Sequence, residues 1–215
     1  PAPHMAAPGR TPGPAIGFLR ECLRWWDQWL KGKETGIMAE PAYRVWMEDY
    51  APPASYRAAQ PGRWVAEPAW PSRNIKTMPM AFSTGRLGPS HEDEAALPIR
   101  SPLGVGLLGG HWCAYGQALH LPSDQREEDA RSVVFDMAPL GERLEILGAP
   151  EVELELSADK PQAQICVRLN DVAPDGASLQ RTKKTGAQFQ KMLSEDPAVA
   201  HAFVAAGRDF IGGGN

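Results

Sequence analysis

Two neighbouring apolar stripes run along the first part of the chain with spacings of three and four residues. One stripe consists of Phe18, Cys22, Trp25 and Trp29, and the other of Leu19, Leu23, Trp26 and Leu30. This spacing predicts an α-helix over residues 14–31. Pro14 can occupy a first helical position, and Gly32 can end the helix in a left-handed conformation. Because the stripes cover about half of the circumference, we expect a large neighbour, such as a sheet or the seam between two domains.

Three tryptophans fall within the segment RWWDQWLKG, residues 24–32. A tryptophan side chain can bury on the order of 200 Å². Three of them on one exposed surface would form a patch that soluble monomers usually avoid. The alternative is an aromatic box that binds a ligand, but apolar stripes at helical spacing usually form core. The segment therefore predicts a face that another part of a larger protein covers.

From residue 41 the hydrophobic period changes to two. The segment YRVWM (43–47) predicts a strand with Tyr43, Val45 and Met47 on one side. Residues 50–74 contain prolines at positions 52, 53, 61, 68 and 71, which predict an extended crossing anchored by Trp64 and Trp70. Residues 77–82 predict a strand weakened by Pro79, and residues 85–104 a polar loop.

The second half of the chain carries the clearest strand patterns. Strands are predicted at 132–137, 142–147, 151–157 and 163–170. In the third of these, EVELELS, apolar and acidic residues alternate, so that one face points inward and the other to water. The PDG sequence at 174–176 predicts a turn. Short alternating strands at this spacing indicate a mainly β fold, an antiparallel sandwich or jelly roll.

After residue 180 the pattern becomes helical. Phe189, Met192 and Leu193 fall on one face of a predicted helix, and Asp196–Pro197 starts a second one. We therefore predict a helical extension of unknown origin over residues 181–215.

Composition and charge exclude several classes of function. The formal net charge is −4, and no Lys/Arg run could follow a phosphate backbone, so no nucleic-acid partner is expected. The three cysteines, Cys22, Cys113 and Cys166, lack metal-ligand spacing, which predicts reduced and mostly buried thiols, no metal and no cofactor. No apolar stretch reaches the ~18 residues of a membrane span, and no signal peptide is visible, so a cytoplasmic protein is expected.

No complete catalytic site is visible in the residues. A serine hydrolase on an α/β scaffold needs a GxSxG turn, which is absent around Ser83, Ser90, Ser101 and Ser178. The histidines at 91, 111, 120 and 201 lack a neighbouring nucleophile or metal-ligand spacing. The acidic cluster of Asp124, Glu127, Glu128 and Asp129 lies beside Arg126 and Arg131. It predicts an ion-pair network, with a carboxylate acid/base pair as the weaker alternative.

Three longer segments carry a family resemblance. PGPAIGFLRECLRWWDQWLKGKETGIMAEPAYRVWM (12–47) and PGRWVAEPAWPS (61–72) resemble the CocE/NonD family of serine hydrolases, which are relatives of the X-Pro dipeptidyl-peptidases. Residues 109–176, from GGHWCAYG to APDG, are similar to the C-terminal β-domain of that family.

The resemblance implies an arrangement of domains. Residues 1–40 would be the C-terminal remnant of an α/β-hydrolase catalytic domain, with the tryptophan helix as its last helix. Residues 41–180 would be a galactose-binding-like jelly-roll domain. Beyond residue 180 the family continues with strands, whereas this sequence predicts helices. Either the sandwich lacks its last strands or the tail is foreign, and missing strands would leave an open edge.

The resemblance also implies a reaction, hydrolysis of an ester or amide through a Ser–Asp–His triad. The nucleophile and the acid would lie before residue 1. His4 stands near the place of the catalytic histidine, but the tryptophan of the usual GPWxH context is missing. His4 is therefore the single catalytic candidate in this sequence. In the resembled family a second histidine lies near the catalytic one, and His4 matches that second histidine better.

The functional hypothesis is a C-terminal part of such a hydrolase that supports cleavage of ester or X-Pro amide bonds and is inactive alone. Its partner would be the missing catalytic domain, and the substrate of the parent enzyme would be a small ester or peptide. The sequence leaves open whether the chain forms a homo-oligomer. The alternative is a free-standing carbohydrate- or protein-binding β-sandwich in which Trp64, Trp70 or Trp112 stacks on sugars. A third reading is a gene product that does not fold.

Overall fold

The structure is a computed structural model that describes residues 16–93, 96–111, 119–159 and 162–181. It also describes the backbone of three further segments at 186–190, 200–201 and 211–213. Strands dominate these parts of the chain, and helices are few.

The helix α1 comprises Phe18–Lys31, and a short 3₁₀ turn follows at Ile37–Ala39. Gly32 ends α1 with φ 64°, the left-handed conformation predicted for it. Pro14 itself lies outside the described residues, but the predicted start is too early, because Ile16 and Gly17 are not helical and Gly17 caps a helix that begins at Phe18. The position of the helix and both of its apolar stripes are therefore as the residue spacing indicates.

The first strand pair lies directly after the helix. Strand β1 (Tyr43–Glu48) pairs antiparallel with β2 (Gly62–Glu67), and Trp46 stands opposite Trp64. The prediction of an extended crossing over residues 50–74 is wrong for β2. The prolines flank the GRWVAE segment without interrupting it, and its tryptophan and valine favour a strand that finds a partner in β1.

The middle of the chain contains fewer strands than its pattern predicts. Strand β3 (Ala81–Ser83) and strand β4 (Arg86–Gly88) form a hairpin, so the predicted loop at 85–104 begins with a strand. The predicted strand at 132–137 is reduced to one bridge between Asp136 and Arg86. A single helical turn, α2, comprises Arg126–Asp129.

The remaining strands form one nested set. They are β5 (Glu145–Leu147), β6 (Glu155–Leu156), β7 (Gln162–Cys166), β8 (Asn170–Val172), β9 (Ser178–Gln180), β10 (Gly186–Gln190), β11 (Ala200–His201) and β12 (Ile211–Gly213). The β8–β9 pair closes at the predicted PDG turn, where Gly176 has φ 82°. Around it β7 pairs with β10, β6 with β11 and β5 with β12, all antiparallel. The described strands between 145 and 213 are therefore paired as in one long antiparallel hairpin.

This path corrects the prediction for the C-terminal segment. The helices predicted within 181–215 are wrong for the described residues, which form β10, β11 and β12. The helical spacing around Phe189 reflects only its neighbours in sequence. In the fold, residues 186–190 pair with the edge of β7. Pairing with an available edge overrides local helical preference.

The buried interior of the described residues is small and rich in polar groups. Its buried apolar side chains are Met47, Ala51, Ala177 and Leu179. Along residues 151–157 the burial alternates as predicted, with half-buried valine and leucine between exposed glutamates, although only Glu155–Leu156 is paired as a strand. A domain with so few buried apolar groups gains little stability from its own core.

Candidate functional site

The helix α1 presents an exposed apolar face near the start of the described chain. None of the residues of α1 is buried, and the exposed fractions of Trp25, Trp26 and Trp29 are 47%, 52% and 53%. Leu19, Leu23 and Leu30 are also exposed. We call this surface the tryptophan face. Exposed apolar surface of this extent usually marks a site of protein–protein contact.

A shallow groove of about 310 Å³ runs beside the tryptophan face. It is lined by Phe18, Glu21, Cys22, Trp25, Trp26 and Ile37. The centroids of the Trp25 and Trp29 rings lie 5.8 Å apart with planes tilted by 51°, which is a favourable aromatic arrangement. The groove presents almost only carbon atoms, so it suits an apolar side chain rather than a charged ligand.

Polar contacts hold α1 to the chain that follows it. Arg24 donates to Glu40, whose other carboxylate oxygen lies 2.9 Å from Arg44 Nη2 on β1. Hydrogen bonds from Arg24 and the nearby charge of Arg44 hold the pKa of Glu40 below its ordinary value. Gln28 Oε1 accepts hydrogen bonds from the Thr35 amide and hydroxyl at 3.0 and 3.2 Å. The orientation of the tryptophan face therefore depends on side-chain hydrogen bonds and ion pairs rather than on a core beneath it.

The acidic cluster at 124–129 forms the predicted ion-pair network. Asp124 lies 2.7 Å from Arg126, and Glu127 lies 3.0 Å from Arg131. Partial burial tends to raise the pKa of Asp124, but hydrogen bonds from Arg126 and Ser178 lower it overall. These pairs are largely exposed, so they contribute little to stability.

The inner half of the cluster meets Arg168, which the sequence pattern did not single out. Its guanidinium lies 2.7 Å from Gln125 Oε1, 3.2 Å from Asp129 Oδ1 and 3.8 Å from Glu128 Oε2. Gln125 is completely buried and Glu128 is 3% exposed. An arginine between Val167 and Leu169 in an otherwise apolar segment was the available signal, because a buried arginine requires acceptors.

Two of the four serines considered as nucleophiles are engaged in structural contacts. The buried Ser178 hydroxyl donates to Asp129 Oδ2 at 2.6 Å, and the buried Ser83 hydroxyl accepts from the Glu92 amide at 2.8 Å. Ser90 and Ser101 are exposed in loops. None of the four stands in the GxSxG turn that presents a nucleophile on an α/β-hydrolase scaffold.

The histidines are dispersed along the described chain. His91 is exposed and its Nδ1 lies 2.9 Å from the Phe82 carbonyl oxygen. The rings of His111 and His120 stack with centroids 4.4 Å apart. His201 lies in β11 opposite Glu155. His4 lies outside the described residues, so its predicted catalytic role stays a prediction.

Aromatic side chains also lie on the β1–β2 hairpin. Trp64 packs edge-on against Trp46, while Trp70 packs against Tyr43 with centroids 4.7 Å apart. Side chains three residues apart in a strand point to opposite faces, so the Trp46–Trp64 pair and Tyr43 lie on different sides of the hairpin. Trp64 and Trp70 therefore share no common platform for a sugar ring. Trp112 lies outside the described residues.

Two further expectations concern thiols and metals. Cys22 is a half-buried free thiol and Cys166 an exposed one, so the prediction of buried cysteines is wrong for Cys166. Cys113 lies outside the described residues. Within the part of the chain that the structure describes, no group of three or more His, Cys, Asp or Glu side chains could hold a metal ion. Across that same part, every helix is too short or too polar to cross a membrane.

Comparison with known proteins gives consistent matches. Two mycobacterial proteins, named "Putative serine esterase Mb1866c" in Mycobacterium bovis and "Putative serine esterase MT1883" in Mycobacterium tuberculosis, are each 26% identical to the chain over 191 residues. The match covers 82% of this chain and 27% of each relative, so the chain spans about a quarter of the length of these relatives.

The family match covers most of the chain and includes every strand of the nested set except β12. It runs from residue 35 to residue 204 and therefore continues beyond residue 180, where the resemblance in the sequence stopped. The segment after residue 180 thus falls largely within the family match, in agreement with its strands. This chain belongs to the family of the X-Pro dipeptidyl-peptidase C-terminal non-catalytic domain, as the resemblance to CocE/NonD hydrolases predicts.

Proposed function

We propose that this chain is the non-catalytic C-terminal part of a serine hydrolase and that its tryptophan face packs against the catalytic domain. The observation that carries the proposal is the half exposure of Trp25, Trp26 and Trp29 on a helix with no buried residue. Exposure of this much apolar indole surface to water is energetically unfavourable, so a second protein surface is expected to cover it.

The occupant of the tryptophan face is an α/β-hydrolase catalytic domain in the same polypeptide. The family description names a non-catalytic domain, and the relatives are several times longer than the match. Two adjacent apolar stripes make the face wide, which suits the flat surface of a sheet better than a single helix. The helix α1 would then be the last helix of the catalytic domain, and residues 41–213 would belong to the β-domain.

The β-domain is a jelly roll in this proposal. The nested pairs β7–β10, β6–β11 and β5–β12 around the β8–β9 turn support it, because a jelly roll is a long antiparallel hairpin folded into two sheets. The strands after residue 180 would supply the part of the sandwich that the sequence pattern did not contain.

The reaction of the whole protein is hydrolysis of an ester or an X-Pro amide bond. Two relatives carry the words serine esterase in their names, and the family description refers to an X-Pro dipeptidyl-peptidase. In the described residues the candidate serines are buried in structural contacts or stand in exposed loops. The nucleophile would therefore be supplied by the catalytic domain. The 215-residue chain alone would be inactive.

Hydrolysis assays test the assignment of the reaction. We expect no turnover of p-nitrophenyl esters or X-Pro-nitroanilides by the purified 215-residue chain and no labelling by a serine-directed fluorophosphonate. The full-length product of the coding sequence that contains these residues should hydrolyse one of the two substrate classes and should be labelled. Labelling of the 215-residue chain itself would refute its assignment as non-catalytic.

A thiol-accessibility assay tests the docking surface. In a cysteine-free background, Leu23→Cys should react rapidly with a maleimide in the 215-residue chain and at least tenfold more slowly in the full-length product. Equal rates would show that the catalytic domain does not cover the tryptophan face.

A further inference from the structure

A second exposed apolar surface lies on the loop at residues 102–108, far from α1 in the sequence. Leu103 is fully exposed and the exposed fraction of Leu107 is 82%. Ordinary loops at a protein surface are polar, and a flexible loop could turn such leucines inward. In this loop both leucine side chains point to solvent. We therefore consider which contacts fix the backbone of the loop.

A buried carboxylate fixes this loop. Glu128 accepts hydrogen bonds from the backbone amides of Gly106 and Leu108, the second at 2.8 Å. It is 3% exposed, and its nearest described cation is Arg168 at 3.8 Å. A carboxylate is costly to bury, and its backbone hydrogen bonds offset that cost only while the loop keeps this shape.

Further hydrogen bonds hold the C-terminal end of the loop and close a turn within it. The Leu108 carbonyl oxygen accepts from the Gln125 side-chain amide at 2.9 Å and from the Ser123 backbone amide at 3.0 Å. Within the loop, the Val105 amide donates to the Pro102 carbonyl oxygen at 3.0 Å. Gln125 is completely buried. Buried polar groups therefore hold the backbone on both sides of Leu107, and Leu103 lies in the turn from Pro102 to Val105 that precedes it.

From this geometry we infer that Leu103 and Leu107 form a second docking contact, and that its occupant is the catalytic domain of the same polypeptide. A rigid frame that presents apolar side chains is how binding surfaces lower the entropic cost of association. The family description implies an attached catalytic domain, and about three quarters of each matched relative lies outside the match. The inference rests on the proposed function and adds a second point of contact to it.

The same accessibility assay tests this contact separately from the tryptophan face. In the cysteine-free background, Leu103→Cys should react rapidly in the 215-residue chain and at least tenfold more slowly in the full-length product. Leu140→Cys is the matched control, since Leu140 is also an exposed leucine but lies outside the loop. It should react rapidly in both proteins.

The possible outcomes separate the two proposals. If Leu23→Cys is protected in the full-length product and Leu103→Cys is not, the second contact does not exist while the proposed function stands. If neither is protected, both proposals fail. If Leu103→Cys is already protected in the 215-residue chain at high protein concentration, a second copy covers the loop and the assignment to the catalytic domain is overturned.

Discussion

Arg24 on α1 and Glu40 ahead of β1 form an ion pair that joins the helix to the segment leading into β1. The same carboxylate contacts Arg44 on β1, so a single side chain links the two elements. Because no residue of α1 is buried, the angle of the tryptophan face depends on this link. A surface that must dock on a second domain benefits from being held at one angle beforehand.

The Arg24–Glu40 link should weaken in acid. Hydrogen bonds from Arg24 and the nearby charge of Arg44 lower the pKa of Glu40 in the folded chain. Its contribution is therefore complete above the unfolded carboxyl pKa of about 4.3 and is lost as the pH falls through the lower folded pKa. With nitroxide labels at Leu30→Cys and Ala66→Cys in the cysteine-free background, the distance distribution should be narrow at pH 6 and should broaden as the pH falls below about 4.

Substitution of Glu40 separates this link from general acid effects. Glu40→Gln should give a broad distribution already at pH 6, whereas Glu34→Gln, an exposed residue on the same connection, should behave like the parent chain. A narrow distribution for Glu40→Gln at pH 6 would show that other contacts set the helix angle.

Removal of the Arg168 guanidinium should be costly. Arg168→Met leaves Gln125, Asp129 and Glu128 without their shared donor, and loss of one partner of a buried ionic group costs about 3 kcal/mol. Arg131→Met makes the same chemical change in an exposed pair with Glu127 and should cost about 0.5 kcal/mol or less. Urea denaturation followed by circular dichroism measures both, and similar losses for the two variants would contradict a buried network.

Gly62 should tolerate no side chain at the start of β2. An added Cβ would lie 2.3 Å from the Met47 carbonyl oxygen and 2.7 Å from Trp46 Nε1, so the β1–β2 hairpin would have to shift. Gly62→Ala should destabilise by about 2 kcal/mol through overpacking. Gly88→Ala is the control, because nothing lies within 4 Å of its added Cβ. Thermal denaturation should show a lower Tm for Gly62→Ala, and equal Tm values would rule out the close approach.

The sequence predicted the elements whose signals are local. α1, β1 and the PDG turn follow from apolar spacing, alternation and turn residues that act within a few positions. β2 was hidden by the prolines around it, and its strand depends on pairing with β1. Strand β10 carries a helical pattern and depends on β7, which is distant in the chain. When a segment becomes a strand only because a distant segment pairs with it, its own sequence need not show the alternation of a strand.

The candidate surfaces differ in the same way. The tryptophan face could be predicted because both stripes lie on one helix, and the acidic cluster because its arginine partners are neighbours in sequence. The loop with Leu103 and Leu107 could not, since its shape is fixed by Glu128, some twenty residues later. Arg168 reaches the cluster from a different strand region, and only the fold brings it there.

The tryptophan face should contribute little to the stability of the isolated chain. Trp26 is exposed over half of its surface, so Trp26→Gln removes few internal contacts and should change the free energy of unfolding by less than about 1 kcal/mol. Met47→Ala is the contrast, because Met47 is buried and its truncation should cost about 3 kcal/mol. Urea denaturation of the 215-residue chain measures both, and binding of an apolar dye should fall for Trp26→Gln alone. If Trp26→Gln destabilises the chain as strongly as Met47→Ala, the indole is packed within this chain and the face is not free to dock.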